Sequence, residues 1–422
     1  MSIIKKHSIL LIYSFAIIYC TILFSHCKIQ WDYDTESYIS AWENISTFHV
    51  DIWRTPVYPL FIGLTKKLFG SHFLIAGSII QHLVFLTSIW YFYKIVIAVV
   101  KKKNIALFTT AFYSLYPCYA TWNCYIITEP FAIYSMVFTL YCAIKAYQLN
   151  STFHILSCGF WILFQVFLRP AQLYILPVFM VGWIILYTKE GKITKIIRIG
   201  VISILLITSM MLLYMLEFKK AYGIFTPCGV GVVNKYYMAR RDGSLNTDNI
   251  SDTIFKEFIK KNDIKFQKGE GTNIDLFKES QNAVYTFGLK TVSDVTSSSS
   301  TSFISDIKSI FYRFHNAAND KLFNSFLKRI SYITDIIGFR INIVYYLLII
   351  YLISIGYYWK KKHYLPWFSS LLLMLGSCHI IIIIIACQNI WSRLILPATP
   401  IYLIMLTQLF QSIYISSNKE QT

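Results

Sequence analysis

Stretches of roughly 20 mostly apolar residues, enough to cross a bilayer as a helix, recur along this chain from one end to the other. In lipid every backbone N–H and C=O has to be paired, which admits only helices or closed barrels. A barrel strand spans the bilayer in about 10 residues with alternating polarity, and these runs are longer and do not alternate. The segments are 7–26, 72–98, 105–121, 129–148, 153–168, 170–188, 199–217, 341–359, 364–386 and 394–415. Of 422 residues 56% are hydrophobic and only 14% charged, too little charge to cover a water-soluble surface of this size. The expected fold class is an all-α polytopic membrane protein with about ten transmembrane helices.

The formal net charge of +18 would suggest a nucleic-acid partner in a soluble protein. Here topology accounts for it. Lys5 and Lys6, Lys101–Lys103, the stretch from Lys189 to Arg198 and Lys360–Lys362 all fall on one side of the ten-span arrangement. By the positive-inside rule that side is cytoplasmic, and both termini share it. The first apolar run follows Lys5 and Lys6 without a small-x-small cleavage site, so it reads as a retained span. The nine cysteines form no CxxC pair and no metal-ligand spacing. Most sit in apolar runs as small hydrophobes; Cys27–Cys228 and Cys118–Cys124 are the disulfides left open.

The organisation expected is an N-terminal transmembrane module of seven spans (1–217), an extracytoplasmic region (218–340) and a C-terminal module of three spans (341–422). The outer side receives 27–71, the turn Trp122–Glu129, the Arg169 turn, 218–340 and the 387–393 turn. Amphipathic helices are predicted at Asp252–Phe266, Ile274–Val292 and Phe303–Ile337, with TSSSSTS (Thr296–Ser302) as a flexible joint. No active-site motif stands out within 218–340, and the chain shows no internal repeat, which weighs against an inverted-repeat transporter.

Ionisable residues at membrane depth are costly and face a cavity or a partner. Away from the cytoplasmic face they are few: Asp32, Asp34, Glu36, Asp51, Arg54, Glu129, Arg169, Glu217 and Arg393. All belong to the same outer end, which implies one polar site there. In WDYDTESYISAW, Asp34 and Tyr38 are four apart and share a helical face. Asp34 reads equally as a helix N-cap and as a carboxylate base within reach of an acceptor hydroxyl. In RTPVYPLF, Pro56 suits a first helical turn, Pro59 bends or restarts the helix, and Tyr58 is an interfacial aromatic beside Arg54. Glu129, directly before Pro130, reads as a helix-start charge or as a ligand for an acceptor, or for a metal together with Asp34. Arg169 and Arg393 read as snorkelling anchors or as phosphate-binding guanidinium groups.

The pattern Asp34-Thr-x-x-Tyr38-x-x-Ala41 followed by Arg54-Thr-Pro-Val-Tyr-Pro-Leu-Phe resembles the first extracytoplasmic loop (27–71) of C-type (GT-C) membrane glycosyltransferases. More narrowly it is similar to bacterial relatives of dolichyl-phosphate-mannose protein mannosyltransferases and lipid A aminoarabinose transferases. Ile80-Gln81, Thr128-Glu129, Leu168-Arg169-Pro170 and Arg393 before Leu396-Pro397-Ala398 are similar too. The resemblance covers about residues 1–190 best and the last two spans loosely; 218–340 matches nothing. It implies a GT-C-like arrangement in a bacterial inner membrane, with the active site facing the periplasm. It also implies transfer, with inversion, of a sugar from a polyprenyl-phosphate donor to a glycan, lipid or protein acceptor. Residue by residue, it makes Asp34 the general base and places Arg169 and Arg393 at the departing lipid phosphate. Glu129 and Tyr38 would orient acceptor or sugar, Arg54 would hold Asp34 ionised or touch phosphate, and Tyr58 would join them in binding substrate. Many relatives carry adjacent Asp-Glu at this point, whereas here Asp32, Asp34 and Glu36 alternate, which leaves the choice of base among the three. Some members use a divalent cation; Asp34 and Glu129 would be its ligands here.

Two other readings fit a sugar-handling membrane protein. A flippase of lipid-linked sugars should carry polar residues through the midplane, where only Gln81 and Gln165 come near. A polymerase or ligase of the O-antigen type would rely on arginines in a large loop, without the early Asp and RTPxYP pattern.

Overall fold

The computed structural model describes residues 2–27, 29–190, 194–241, 245, 247, 250, 252–267, 273–298, 347–354, 367–386 and 394–419. Arg393, Lys360–Lys362 and the predicted helix Phe303–Ile337 lie outside them. The described chain is helical throughout. Its helices are α1 (Ser2–Cys27), α2 (Tyr33–Ser46), α3 (Val57–Phe69), α4 (Phe73–Val100), α5 (Lys103–Leu115), α6 (Pro117–Trp122), α7 (Glu129–Leu149) and α8 (Thr152–Leu168). There follow α9 (Ile175–Glu190), α10 (Lys195–Tyr222), α11 (Val230–Arg241), α12 (Thr253–Gln267), α13 (Asn273–Phe287), α14 (Leu289–Ser298), α15 (Trp367–Ala386) and α16 (Thr399–Lys419).

Among the described residues four helical stretches are long and apolar enough to cross a membrane: Ser8–His26, Val57–Val100, Pro170–Tyr187 and Lys195–Tyr222. Thr152–Leu168 and Trp367–Ile382 are shorter apolar helices. These make the chain a membrane protein. The predicted segment 105–121 is not one continuous helix: it breaks between α5 and α6, where Tyr116 turns extended before Pro117. At the centre runs α7, buried on nearly every side between α4 and α8, and beside it the 3-10 turn Leu396–Ala398 that leads into α16. A helix apolar all round belongs at such a place.

A second hydrophobic cluster stands apart from this bundle. It gathers Phe218, Val233, Tyr236, Phe255, Ile259 and Val284, with other residues of α10–α14, into a small lobe. Within it Arg240 is 4% exposed and pairs with Asp263 (2.7 Å) and Glu279 (3.2 Å). The predicted helix Ile274–Val292 is in fact two, because Gly288 takes φ +82°, a left-handed conformation that ends α13. Thr296–Ser298 continue α14, so the expected joint does not begin there. The sequence pattern missed α11.

Candidate active site

The site begins at the cap of α2. Asp32, not Asp34, is the N-cap: its carboxylate accepts from the Asp34 N–H at 3.0 Å, and the Thr35 hydroxyl accepts from the Asp32 N–H at 3.1 Å. This is a capping box with threonine in the third helical position. It corrects the expectation that Asp34 caps, and frees the Asp34 carboxylate for another partner. The Thr35 hydroxyl also donates to the carbonyl of Ile126 at 3.2 Å. Together with the backbone bond from Gln30 N–H to the Cys124 carbonyl (2.9 Å), it ties α2 to the loop 123–128.

Arg54 arrives from the other end of α2, on the loop that joins it to α3. Asp51, 4% exposed, shapes that loop: its Oδ1 accepts from the N–H groups of Trp53 and Arg54, both at 2.8 Å, and its Oδ2 from Asn44 at 3.0 Å. The Arg54 guanidinium then spreads over α2. It donates to Asp34 Oδ1 at 2.5 Å, Ser37 Oγ at 2.7 Å and Tyr38 Oη at 3.1 Å, and lies 4.1 Å above the Tyr38 ring. Burial works against its charge, but Tyr38 and Asp34 hold the group above its ordinary pKa. Burial likewise pushes the Tyr38 phenol up, with Arg54 opposing. Asp34 keeps a third of its side chain exposed, at 32%, so solvent or a substrate reaches it.

The loop 123–128 is buried, and its backbone is satisfied by side chains of the bundle. Gln81 of α4 donates to the carbonyls of Asn123 (3.0 Å) and Tyr125 (2.9 Å), and Ser78 donates to Asn123 O at 2.8 Å. Glu129, completely buried, starts α7 just beyond and faces Arg169 at 3.3 Å. That separation lacks hydrogen-bond geometry, and Arg169 Nη1 is a buried donor with no hydrogen-bond partner. Arg169 leaves the end of α8 in extended conformation, where the Leu168 carbonyl accepts from Thr55 at 3.3 Å. So the loops 47–56 and 123–128 and the turn after α8 meet at one place.

The two ion pairs are joined. From Arg54 the contacts run to Tyr38 Oη, on to Thr128 Oγ1 at 3.4 Å, and from Thr128 to Glu129 Oε2 at 3.4 Å. A continuous chain of polar side chains thus leads from Asp34 through Arg54, Tyr38, Thr128 and Glu129 to Arg169. Past Arg169, the buried Gln172 has both amide atoms without a partner. Tyr174 pairs with His379 Nδ1 (2.9 Å), whose Nε2 donates to the carbonyl of Leu394 (2.9 Å). That bond places α15 and the residue next to Arg393 beside the Arg169 turn.

Of the sequence-predicted residues, Asp34, Tyr38, Arg54, Glu129 and Arg169 therefore converge, and Arg393 lies outside the described residues. Tyr58 does not stand at an interface: it is wholly buried, its hydroxyl donating to Gln81 at 2.9 Å, and Pro59 sits within α3 without restarting it. Glu36 is exposed, away from the chain of contacts. Cys124 and Cys228 are free thiols, so neither candidate disulfide forms. As paired, Asp34 and Glu129 do not fit a divalent cation, since each faces a guanidinium. Among the described residues no three His, Cys, Asp or Glu side chains converge. The pattern reading missed Asp51 as loop scaffold, and Gln172, Tyr174 and His379. Asp51 was marked by its charge alone, and of the other three only His379, an ionisable group inside an apolar run, carried a signal.

No family model and no curated protein matches the chain. Among solved structures it is similar to the archaeal oligosaccharyltransferase AglB from Archaeoglobus fulgidus, in complex with an inhibitory peptide and a dolichol-phosphate. The TM-score is 0.53 at 14% identity, over 99% of this chain and 52% of that one. The chain spans about half the length of AglB, and at this identity the likeness concerns the fold alone. In this fold the polar side chains singled out by the sequence meet at the junction of α2, α7 and the α8–α9 turn.

Proposed function

We propose that the chain is an integral-membrane glycosyltransferase that moves a sugar from a polyprenyl-phosphate donor to an acceptor hydroxyl on the extracytoplasmic face. The observation that carries this reading is the pairing, along one run of polar contacts, of an accessible carboxylate (Asp34) with a buried guanidinium whose Nη1 has no hydrogen-bond partner (Arg169). The AglB complex with a dolichol-phosphate supports a lipid-phosphate donor. The basic residues on the opposite side support an outward-facing site.

Asp34 takes the proton from the acceptor hydroxyl as that oxygen attacks the anomeric carbon. The bond from that carbon to the phosphate oxygen breaks with inversion, and the polyprenyl phosphate leaves with the electron pair. Arg169 receives the charge that gathers on the phosphate, and Arg393 is proposed to join it. Charges held in place where water is excluded usually accelerate such a reaction more than any other single effect. Arg54 holds the Asp34 carboxylate in place from one side, leaving the exposed side for the acceptor. Tyr38 and Glu129 keep the two halves in register.

The test is transfer in proteoliposomes with labelled polyprenyl-phosphate sugars, comparing wild type with Asp34→Asn. The variant is expected to lose about 10²–10⁴-fold in rate. Full turnover removes Asp34 as the base. Movement of the lipid-linked sugar across the bilayer without transfer replaces the reading by that of a flippase. Labelling a cysteine placed near Arg54 from outside, with Lys102→Cys protected, checks the orientation.

A further inference from the structure

We propose that the α10–α14 lobe is a positioning arm of the active site: it grips the loop 47–56 from outside and thereby delivers Arg54 to Asp34. The catalytic consequence rests on the glycosyltransferase function proposed for the site; the grip itself does not.

Four residues of the loop, Val50 to Trp53, face two ways. Inward, Asp51 accepts from the Trp53 and Arg54 N–H groups and so sets the backbone from which Arg54 departs. Outward, Val50, Ile52 and Trp53 pack on the hydrophobic cluster of the lobe rather than on that of the bundle. The lobe also holds the loop by polar contacts. The Tyr222 hydroxyl donates to the Val50 carbonyl (3.0 Å), the Gly229 N–H to the Ile52 carbonyl (2.6 Å), and the Trp53 indole N–H to the Tyr285 hydroxyl (2.6 Å). The rings of Trp53 and Tyr285 meet edge to face at 5.4 Å.

Gly229 shows how close this approach is. A Cβ there would lie 2.9 Å from the Ile52 carbonyl oxygen and 3.1 Å from Leu289, so any larger residue forces the loop and the lobe apart. In the same segment burial pushes the Cys228 thiol up, with the Arg54 charge opposing. Val50, Ile52 and Trp53 have their apolar partners in the lobe, while Phe48 is exposed, so the lobe steadies the middle of the loop from outside as Asp51 does from inside. Gly229, Trp53 and Tyr285 are positioning residues that act through Arg54.

The experiment compares Gly229→Ala and the milder Tyr285→Phe, which keeps the ring and loses the acceptor on an exposed side chain. In the transfer assay both lower kcat, Gly229→Ala by about 10²-fold, the scale of a 1 Å misplacement. KM for the donor stays within about threefold, because Arg169 is untouched. In an Arg54→Ala background the same substitutions change kcat by less than about twofold, since their route to the chemistry is gone. Independently of activity, hydrogen exchange at the Trp53 and Arg54 amides speeds up in both variants while amides of α7 stay protected. If wild type carries out no transfer, the functional reading falls, and the exchange measurement alone decides the grip. Unchanged exchange in both variants, or an undiminished loss of kcat in the Arg54→Ala background, overturns the proposal.

Discussion

Replacing Arg169 by glutamine removes the cation that faces the buried Glu129. The carboxylate is 0% exposed and its guanidinium partner, 3.3 Å away, is 13% exposed. Removing one member of a buried ion pair costs about 3–5 kcal/mol, because a desolvated charge is left without compensation. Residual exposure of Arg169 and the absence of hydrogen-bond geometry put the cost at the lower end, about 3 kcal/mol or roughly 150-fold in the folding equilibrium. Adding Glu129→Gln removes the buried negative charge as well, and the double variant returns to within about 1 kcal/mol of wild type. Detergent-titrated unfolding in mixed micelles, followed by tryptophan fluorescence, reads the stabilities; transfer is measured in parallel. The double variant regains stability without regaining transfer, since the phosphate still lacks its arginine. A single variant as stable as wild type, or a double variant no more stable than the single, refutes the buried-pair argument. Wild-type transfer by the double variant refutes the role given to Arg169.

Asp32→Ala removes the α2 cap and costs about 1 kcal/mol of stability while transfer persists, whereas Asp34→Asn does the reverse; unfolding and transfer assays on both variants separate cap from base. Gly63→Ala sets a methyl 2.0 Å from Trp42, which locks α2 against α3. Overpacking of about 1–3 kcal/mol and a lower kcat are expected, because Asp34 rides on α2 and Arg54 on the loop that joins the two helices. Tyr38→Phe lowers kcat without moving the pH profile between about pH 5 and 9. Burial lifts the phenol above its ordinary 10.0, so any proton-linked stability is lost only at still higher pH. Gln172→Met, which removes a buried amide with no partners, raises unfolding stability by about 1 kcal/mol; a loss of stability shows that the amide is satisfied.

Composition and period alone determined that the chain is a helical membrane protein, because lipid leaves a long apolar run no other way to pair its backbone. The scarcity of charge away from the lysine-rich side marked Asp34, Arg54, Glu129 and Arg169 as members of one site, since each is too costly at that depth to stand without a purpose. Which of them touch was not legible. Asp32 and Asp34 are equally good caps by type, and only the reach of Thr35 to the Ile126 carbonyl, ninety-one positions away, decides that Asp32 caps and Asp34 meets Arg54. Tyr58 has the character of an interfacial ring, yet its hydroxyl finds Gln81 in the bundle interior. The segment 218–340 showed only amphipathic helices, and its contacts with Val50–Trp53, one of them backbone to backbone at Gly229, follow no sequence pattern. Periodicity records which face of an element is apolar; it does not record which distant element that face meets. That pairing, decided by packing three loops at one end of the bundle, is what turns scattered costly residues into a site.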